Sequence, residues 1–195
     1  MEKIFLASSS PRRAELLRGL GLEFTICAPD ADENIIDKTI PINMYVQELA
    51  LLKATAAAKE LIGNRGIIIS ADTVVCMDGE ILGKPQNEQN AKDMLAALSG
   101  KTHEVYTGIC IMRIHDGFTV CESERTAVTF LPNSDDKINR YVKTGEPMDK
   151  AGAYGIQGLG AALIEKIDGD YFNVVGLPVS KLTSLLEKEF DINIF

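Results

Sequence analysis

The eleven-residue run IIISADTVVCM, residues 67–77, is the most apolar stretch of the chain, and the dipeptide Asp78-Gly79 follows it directly. An Asp-Gly pair beside an apolar run marks a tight type I′ turn, because both central residues must accept positive φ. The run therefore reads as a long buried strand that doubles back into Glu80–Leu82. A second Asp-Gly, at residues 116–117, separates two strands of roughly 103–115 and 118–130, the longest hairpin of the fold. Strands joined by tight hairpins are antiparallel, so the sheet cannot be all parallel. Helical patterns lie between these strands, and the fold class that follows is α/β with a mixed, elongated sheet flanked by helices.

The remaining elements follow from local signals. Ile4–Ala7 reads as a short buried strand, and Ser10-Pro11 supplies an N-cap and an N1 proline for a helix ending at Gly19 or Gly21. Leu22–Cys27 reads as a second strand, and the acidic stretch PDADENIID, residues 29–37, as a loop. From about Ile42 to Ile62, the spacing of Met44, Leu49, Leu52 and Ala56 predicts a long amphipathic helix. Asn87 caps a helix running to about Leu98, with Gly100 as its stop. Ser134 caps another ending near Lys143. A strand at 161–167 and a last helix from Pro178 to Phe190 close the chain.

Composition narrows the function. The 46% hydrophobic and 25% charged content are those of an ordinary folded domain. No apolar run reaches the roughly 20 residues of a membrane span, and MEKIFLASSSPRR lacks the build of a signal peptide, so the expected location is the cytoplasm. A net charge of −8 argues against nucleic-acid binding, which needs a broad basic surface. The four cysteines form no CxxC pair and have no nearby His, so they read as buried thiols. With His115 opposite Phe118 across the Asp116-Gly117 turn, Cys121 faces Met112 and Cys110 lies diagonally nearby.

Against that acidic background the segment SSSPRR, residues 8–13, stands out. Hydroxyls and guanidinium groups at a strand-to-helix junction favour an anion, phosphate above all, because a helix N-terminus also presents unpaired N–H groups. Arg12 and Arg13, with Lys53 on the long helix and Lys84 in GKP, make a cationic set able to meet several phosphate oxygens. Asp72 sits in the middle of the most apolar strand, where an isolated carboxylate costs several kcal/mol unless paired, protonated or bound to metal. It reads either as a general base or metal ligand, or as a carboxylate bonded to strand-end amides. Glu33 is an oxygen donor for magnesium or manganese, or one charge of a solvated acidic loop. Gln157, in the glycine-rich GEPMDKAGAYGIQG, carries an amide that donates and accepts at once and so matches the edge of a base.

These motifs assemble into a resemblance. LASSSPRRAELL, SADTVV with GKP a dozen residues later, LSGKTHEVYTG, and GEPMDKAGAYGIQG with GDYFNVVGLP resemble the Maf family of nucleoside triphosphate pyrophosphatases, in order over nearly the whole chain. The resemblance implies a single domain over 1–195, similar in fold to the inosine-triphosphate pyrophosphatases, with two lobes and the nucleotide in a central cleft. It also implies hydrolysis between the α and β phosphates with a divalent cation, Mg²⁺ or Mn²⁺, and a homodimer. On its motif positions Asp72 is the proton acceptor, while Ser8, Arg13, Glu33, Lys53 and Lys84 serve phosphate and metal. Arg12, Thr73 and Gln157 match the dTTP and UTP subfamily, with modified pyrimidine nucleotides as further candidates. Ser9 and Phe172 depart from the common pattern without removing a polar group. Two alternatives stand beside this reading: a nucleotide-binding regulator of septum formation without turnover, and a pyrophosphatase of other specificity, such as for 7-methyl-GTP. Steady pyrophosphate release separates the first from an enzyme, and a nucleotide panel separates the second.

Overall fold

The structure, a computed structural model, describes residues 2–195. Its elements in chain order are β1 (Ile4–Leu6), α1 (Pro11–Gly19), β2 (Phe24–Ile26), α2 (Ile42–Glu60), β3 (Ile67–Met77), β4 (Glu80–Leu82), α3 (Glu88–Leu98), β5 (Thr102–Arg113), β6 (Thr119–Phe130), α4 (Asp135–Val142), β7 (Ile164–Asp168), α5 (Tyr171–Val175) and α6 (Val179–Phe190). The seven strands form one sheet in the order β2-β1-β3-β5-β6-β7, with β4 paired to β3 off this path. β1 runs parallel to both β2 and β3, whereas β4 is antiparallel to β3 and β7 to β6, so the expected mixed α/β sheet is what the chain forms. At the β3–β4 turn both Asp78 (φ 52°) and Gly79 (φ 85°) take positive φ, as a type I′ turn demands.

The chain divides into two compact units, one of residues 1–72, 107–124 and 176–195, the other of 73–106 and 125–175. In the first, the pleat sorts side chains between two cores. Ile4, Leu6, Ile67, Ile69, Ile109 and Ile111 share a buried cluster with Leu17 of α1 and Leu182 and Leu186 of α6. The residues between them, Phe5, Ile68 and Cys110, pack instead with Ala50, Ala54 and Ala57 of α2. Period-two alternation is the cause: neighbours along a strand point to opposite faces. In the second unit Val75, Val105, Val128 and Phe130 pack with Leu95 and Leu98 of α3 and with Ile138 and Val142 of α4.

Four local expectations need correction. Leu49 is buried as expected, but Met44 is 48% exposed, Leu52 and Ala56 are half-buried, and α2 also buries Tyr45, Val46, Ala50, Ala54 and Ala57. The helix chose its small-residue face because it lies very close to β5: a Cβ on Gly108 would stand 2.0 Å from the Val46 carbonyl oxygen. Ser10 holds the N-cap position of α1, but its side chain makes no capping bond. The acidic stretch contains one turn of 3₁₀ helix, Glu33–Ile35, capped by the Asp32 carboxylate on the Asn34 N–H. The β5–β6 loop is longer than two residues: the Arg113 N–H bonds the Phe118 carbonyl at 2.8 Å, and the Gly117 N–H bonds Arg113. The register therefore shifts by two and sets Cys110 directly across from Cys121. The hydrogen-bonded Cys121 thiol, together with burial, pushes the Cys110 thiol up. All four cysteines are free thiols.

His103 of β5 is 2% exposed, edge-on to the Phe130 and Tyr154 rings, with Nε2 and the Tyr154 hydroxyl sharing a 2.7 Å hydrogen bond. Burial lowers its pKa from 6.5 to about 4. Between those values the unfolded chain binds a proton that the native state refuses, so stability present above pH 6.5 drains away as pH falls toward 4. The loss is on the order of 3 kcal/mol. Calorimetry across this window is expected to show a falling unfolding midpoint for the native chain and a flatter profile for His103→Gln.

Candidate active site

Ser70 and Asp72 lie two apart on β3 and so share the face that Ile68 presents to α2. The buried Ser70 hydroxyl donates to the Ala50 carbonyl of α2 at 2.7 Å. Lys53 is three residues beyond Ala50 on the same helix face, which aims its ammonium at Asp72. Lys53 Nζ pairs with Asp72 Oδ1, and with Glu33 Oε1 at 2.9 Å. The Asp72 and Lys53 side chains are 14% and 20% exposed, against 52% for Glu33. The costly carboxylate of the apolar strand is therefore paired, as its position required, with an ammonium rather than with strand-end amides.

The junction between β1 and α1 supplies the next groups. Ser8, buried at 6% exposure, accepts hydrogen bonds through Oγ from the Ser10 N–H at 3.3 Å and from Arg13 Nη1 at 3.0 Å. Arg13 Nε donates to the Gly176 carbonyl at 2.7 Å. Burial lowers the Arg13 pKa, the Asp72 and Glu33 charges oppose that shift, and Arg12 adds to it. Ser8, Arg12, Arg13, Glu33, Lys53 and Asp72 thus belong to one electrostatic neighbourhood within the first unit. Tyr45, which the sequence reading passed over, belongs there too: burial raises its hydroxyl pKa, with the Asp72 and Glu33 charges acting in the same direction. Its signal was the spacing 45, 49, 53, one face of α2 ending in the lysine.

Thr73, Lys84 and Gln157 lie in the second unit. Thr73 is part of β3, and Lys84 is exposed in the loop after β4. Gln157 is exposed at the N-cap position of the 3₁₀ turn Gly158–Leu163, where its side chain makes no cap bond. The segments carrying Lys84 and Gln157 are tied to a common support. The Gly152 N–H bonds the Gly83 carbonyl at 3.0 Å, and a Cβ on Gly152 would stand 2.9 Å from Val75 Cγ1 of β3.

Two carboxylates converging on one cation, with guanidinium groups nearby, are groups of the kind that can meet a polyanion together with a metal. Mg²⁺ is ordinarily held by one or two carboxylates together with substrate phosphates. Glu33 and Asp72 already share a positive charge, the Lys53 ammonium, so the donor set fits such an ion.

A HAM1 protein from Coxiella burnetii aligns with 84% of this chain and 81% of its own, at TM-score 0.51 and 19% identity, a likeness of fold. A family model described as Maf-like protein matches residues 3–189, and the chain belongs to the Maf family. Its relatives include proteins named dTTP/UTP pyrophosphatase from Alkaliphilus metalliredigens (strain QYMF) and Clostridium perfringens (strain 13 / Type A). The first is 50% identical over 194 residues, 100% of each chain. The second is 48% identical over 192 residues, 98% of this chain and 99% of its own.

The close approach of α2 to β5 fixes where Lys53 reaches. Gly108→Ala is expected to lower stability by about 1–3 kcal/mol, because backbone rather than a flexible side chain must move. Urea unfolding of the variant against the native chain checks this.

Proposed function

We propose that this chain, read as one Maf-like domain over residues 1–195, is a nucleoside triphosphate pyrophosphatase acting on dTTP and UTP. Its full-length relatives carry that name. The observation that carries the reading is the meeting of Glu33, Lys53 and Asp72 beside Arg13. In the reaction a water attacks the α-phosphorus, the bond to the α–β bridging oxygen breaks, and pyrophosphate leaves the nucleoside monophosphate. Asp72 takes the proton from the water. Arg12, Arg13, Lys53 and Lys84 balance the charge on the phosphates, and Ser8 holds Arg13 in place while its hydroxyl borders the phosphate. Thr73 and Gln157 are assigned to the nucleotide, Gln157 to the pyrimidine edge.

Glu33 and Asp72 are the residues that would hold a divalent ion, Mg²⁺ or Mn²⁺. Such an ion, when bound, polarises a phosphoryl oxygen and offsets phosphate charge. Lys53, which stands between the two carboxylates, would balance charge on substrate oxygens. No described helix is long and apolar enough to cross a membrane. We assign the protein to the cytoplasm, where such nucleotides are found, and take a homodimer as its working form, which sedimentation velocity tests.

The decisive experiment supplies purified protein with a panel of nucleoside triphosphates and Mg²⁺ or Mn²⁺ and measures pyrophosphate. Release from dTTP and UTP above the purine nucleotides is expected, and Asp72→Asn should slow it by about 10²–10⁴-fold. Undiminished release by that variant would remove the aspartate from its role, and bound nucleotide without product would end the enzymatic reading.

A further inference from the structure

The glycine-rich segment carries two acids, Glu146 and Asp149, to which the proposed reaction gives no task, and the Glu146 carboxylate is bonded into the backbone of that same segment. It stands where the chain leaves α4, at the start of the 3₁₀ turn Glu146–Asp149. Its carboxylate reaches forward thirteen and fourteen residues: Oε2 accepts the Leu159 N–H at 3.0 Å, and Oε1 accepts the Gly160 N–H at 2.9 Å. Oε1 also accepts the hydroxyl of Tyr141, a buried residue of α4, at 3.0 Å. Lys150 Nζ grips the same turn from the other side, donating to the Glu146 carbonyl at 2.5 Å and to Asp149 Oδ1 at 2.6 Å. The segment closes tightly on the acid. Gly158 takes φ +68°, and a Cβ there would stand 2.9 Å from Glu146 Oε2.

Three donors on one carboxylate fix the backbone immediately after Gln157, because hydrogen bonds to an ionised acceptor are about twice as strong as neutral ones. Burial alone would raise the Glu146 pKa, but the Gly160 and Leu159 N–H bonds, the Tyr141 hydroxyl and the Lys150 charge together outweigh it and hold the acid below its ordinary range. The group is therefore ionised at neutral pH. Gln157 itself is exposed and its amide is not engaged in capping. Such a side chain can select a base only if the backbone beneath it has a single arrangement.

We propose that Glu146 is the positioning residue for Gln157, clamping the Leu159 and Gly160 amides so that the glutamine amide meets a pyrimidine base in one orientation. This rests on the base-reading role assigned to Gln157 above. Tyr141 and Lys150 support the clamp and touch no substrate.

The test measures kcat and KM for dTTP, UTP and dGTP in Glu146→Gln, Gln157→Ala, the double variant and Tyr141→Phe, with circular dichroism to confirm folding. Glu146→Gln keeps the size but sets an NH₂ against backbone donors. It should raise KM for dTTP and UTP about tenfold, with kcat changed by about threefold or less, and compress the preference over dGTP. The double variant should be no worse than Gln157→Ala alone, since both act through one contact. Tyr141→Phe, which keeps the ring and removes one donor, should move KM the same way by about two- to threefold, and carries the test if Glu146→Gln does not fold. If Gln157→Ala shifts base preference while Glu146→Gln and Tyr141→Phe leave it intact, the clamp is overturned and the role of Gln157 stands. If Gln157→Ala leaves preference intact, that role is overturned and the clamp with it. An equal fall in kcat for every nucleotide, or additive losses in the double variant, also overturns the clamp.

Discussion

The ion pair between Lys53 and Asp72 is the interaction on which the arrangement depends. A carboxylate on a strand whose neighbours are Ile67, Ile68, Ile69, Val74 and Val75, all buried, would be lost to desolvation without a partner. Its partner cannot come from the strand itself, since the pleat offers only alternate positions on that face. It comes from α2, and α2 can deliver it only by lying close. Gly108 permits the approach, the alanines of the helix shape it, and the Ser70 hydroxyl bond to Ala50 fixes the register. Stability and chemistry therefore share one set of contacts.

The second consequence is electrostatic. The chain is acidic overall, with a net charge of −8. Any attraction for a polyanion must therefore be local, and in the first unit the candidate cation Arg13 is firmly anchored. Arg13 is tied through Nε to the Gly176 carbonyl and through Nη1 to Ser8, so its charge has a fixed direction. Preorganised charge costs no reorientation when substrate charge develops. Glu33, more exposed than Asp72, lies on a single capped turn and is the more adaptable of the two carboxylates.

The second unit contributes order of another kind. Its glycines permit close approaches, as Gly152 does to Val75, and the Glu146 carboxylate stitches the far end of the same segment. The loop that carries the exposed Gln157 is held in part by hydrogen bonds to its backbone. His103 and Tyr154 nearby form part of the aromatic core with Phe130.

Much of this was legible in the residues. The two Asp-Gly turns, the apolar run of β3, the Asn87 and Ser134 caps and the mixed sheet follow from local preferences that act within a few positions of the chain. The candidate residues Ser8, Arg13, Lys53 and Asp72 were visible because each is out of keeping with its surroundings. What local sequence does not carry is which side of a helix meets the sheet and how far two strands slide before pairing. The spacing put Met44 on the buried face, and close packing against Gly108 buried Val46 and left Met44 exposed. The four-residue turn at Ile114–Gly117 moved Cys121 across from Cys110, because a loop bond from the Gly117 N–H to the Arg113 carbonyl outweighs the preference of the dipeptide alone. The spacing 45, 49, 53 could place Tyr45 on the face of Lys53, but its nearness to Glu33 and Asp72, like the bond from the Gly160 N–H to Glu146, arises only on folding. Local chemistry chose the elements and the reactive groups, and long-range packing chose their partners.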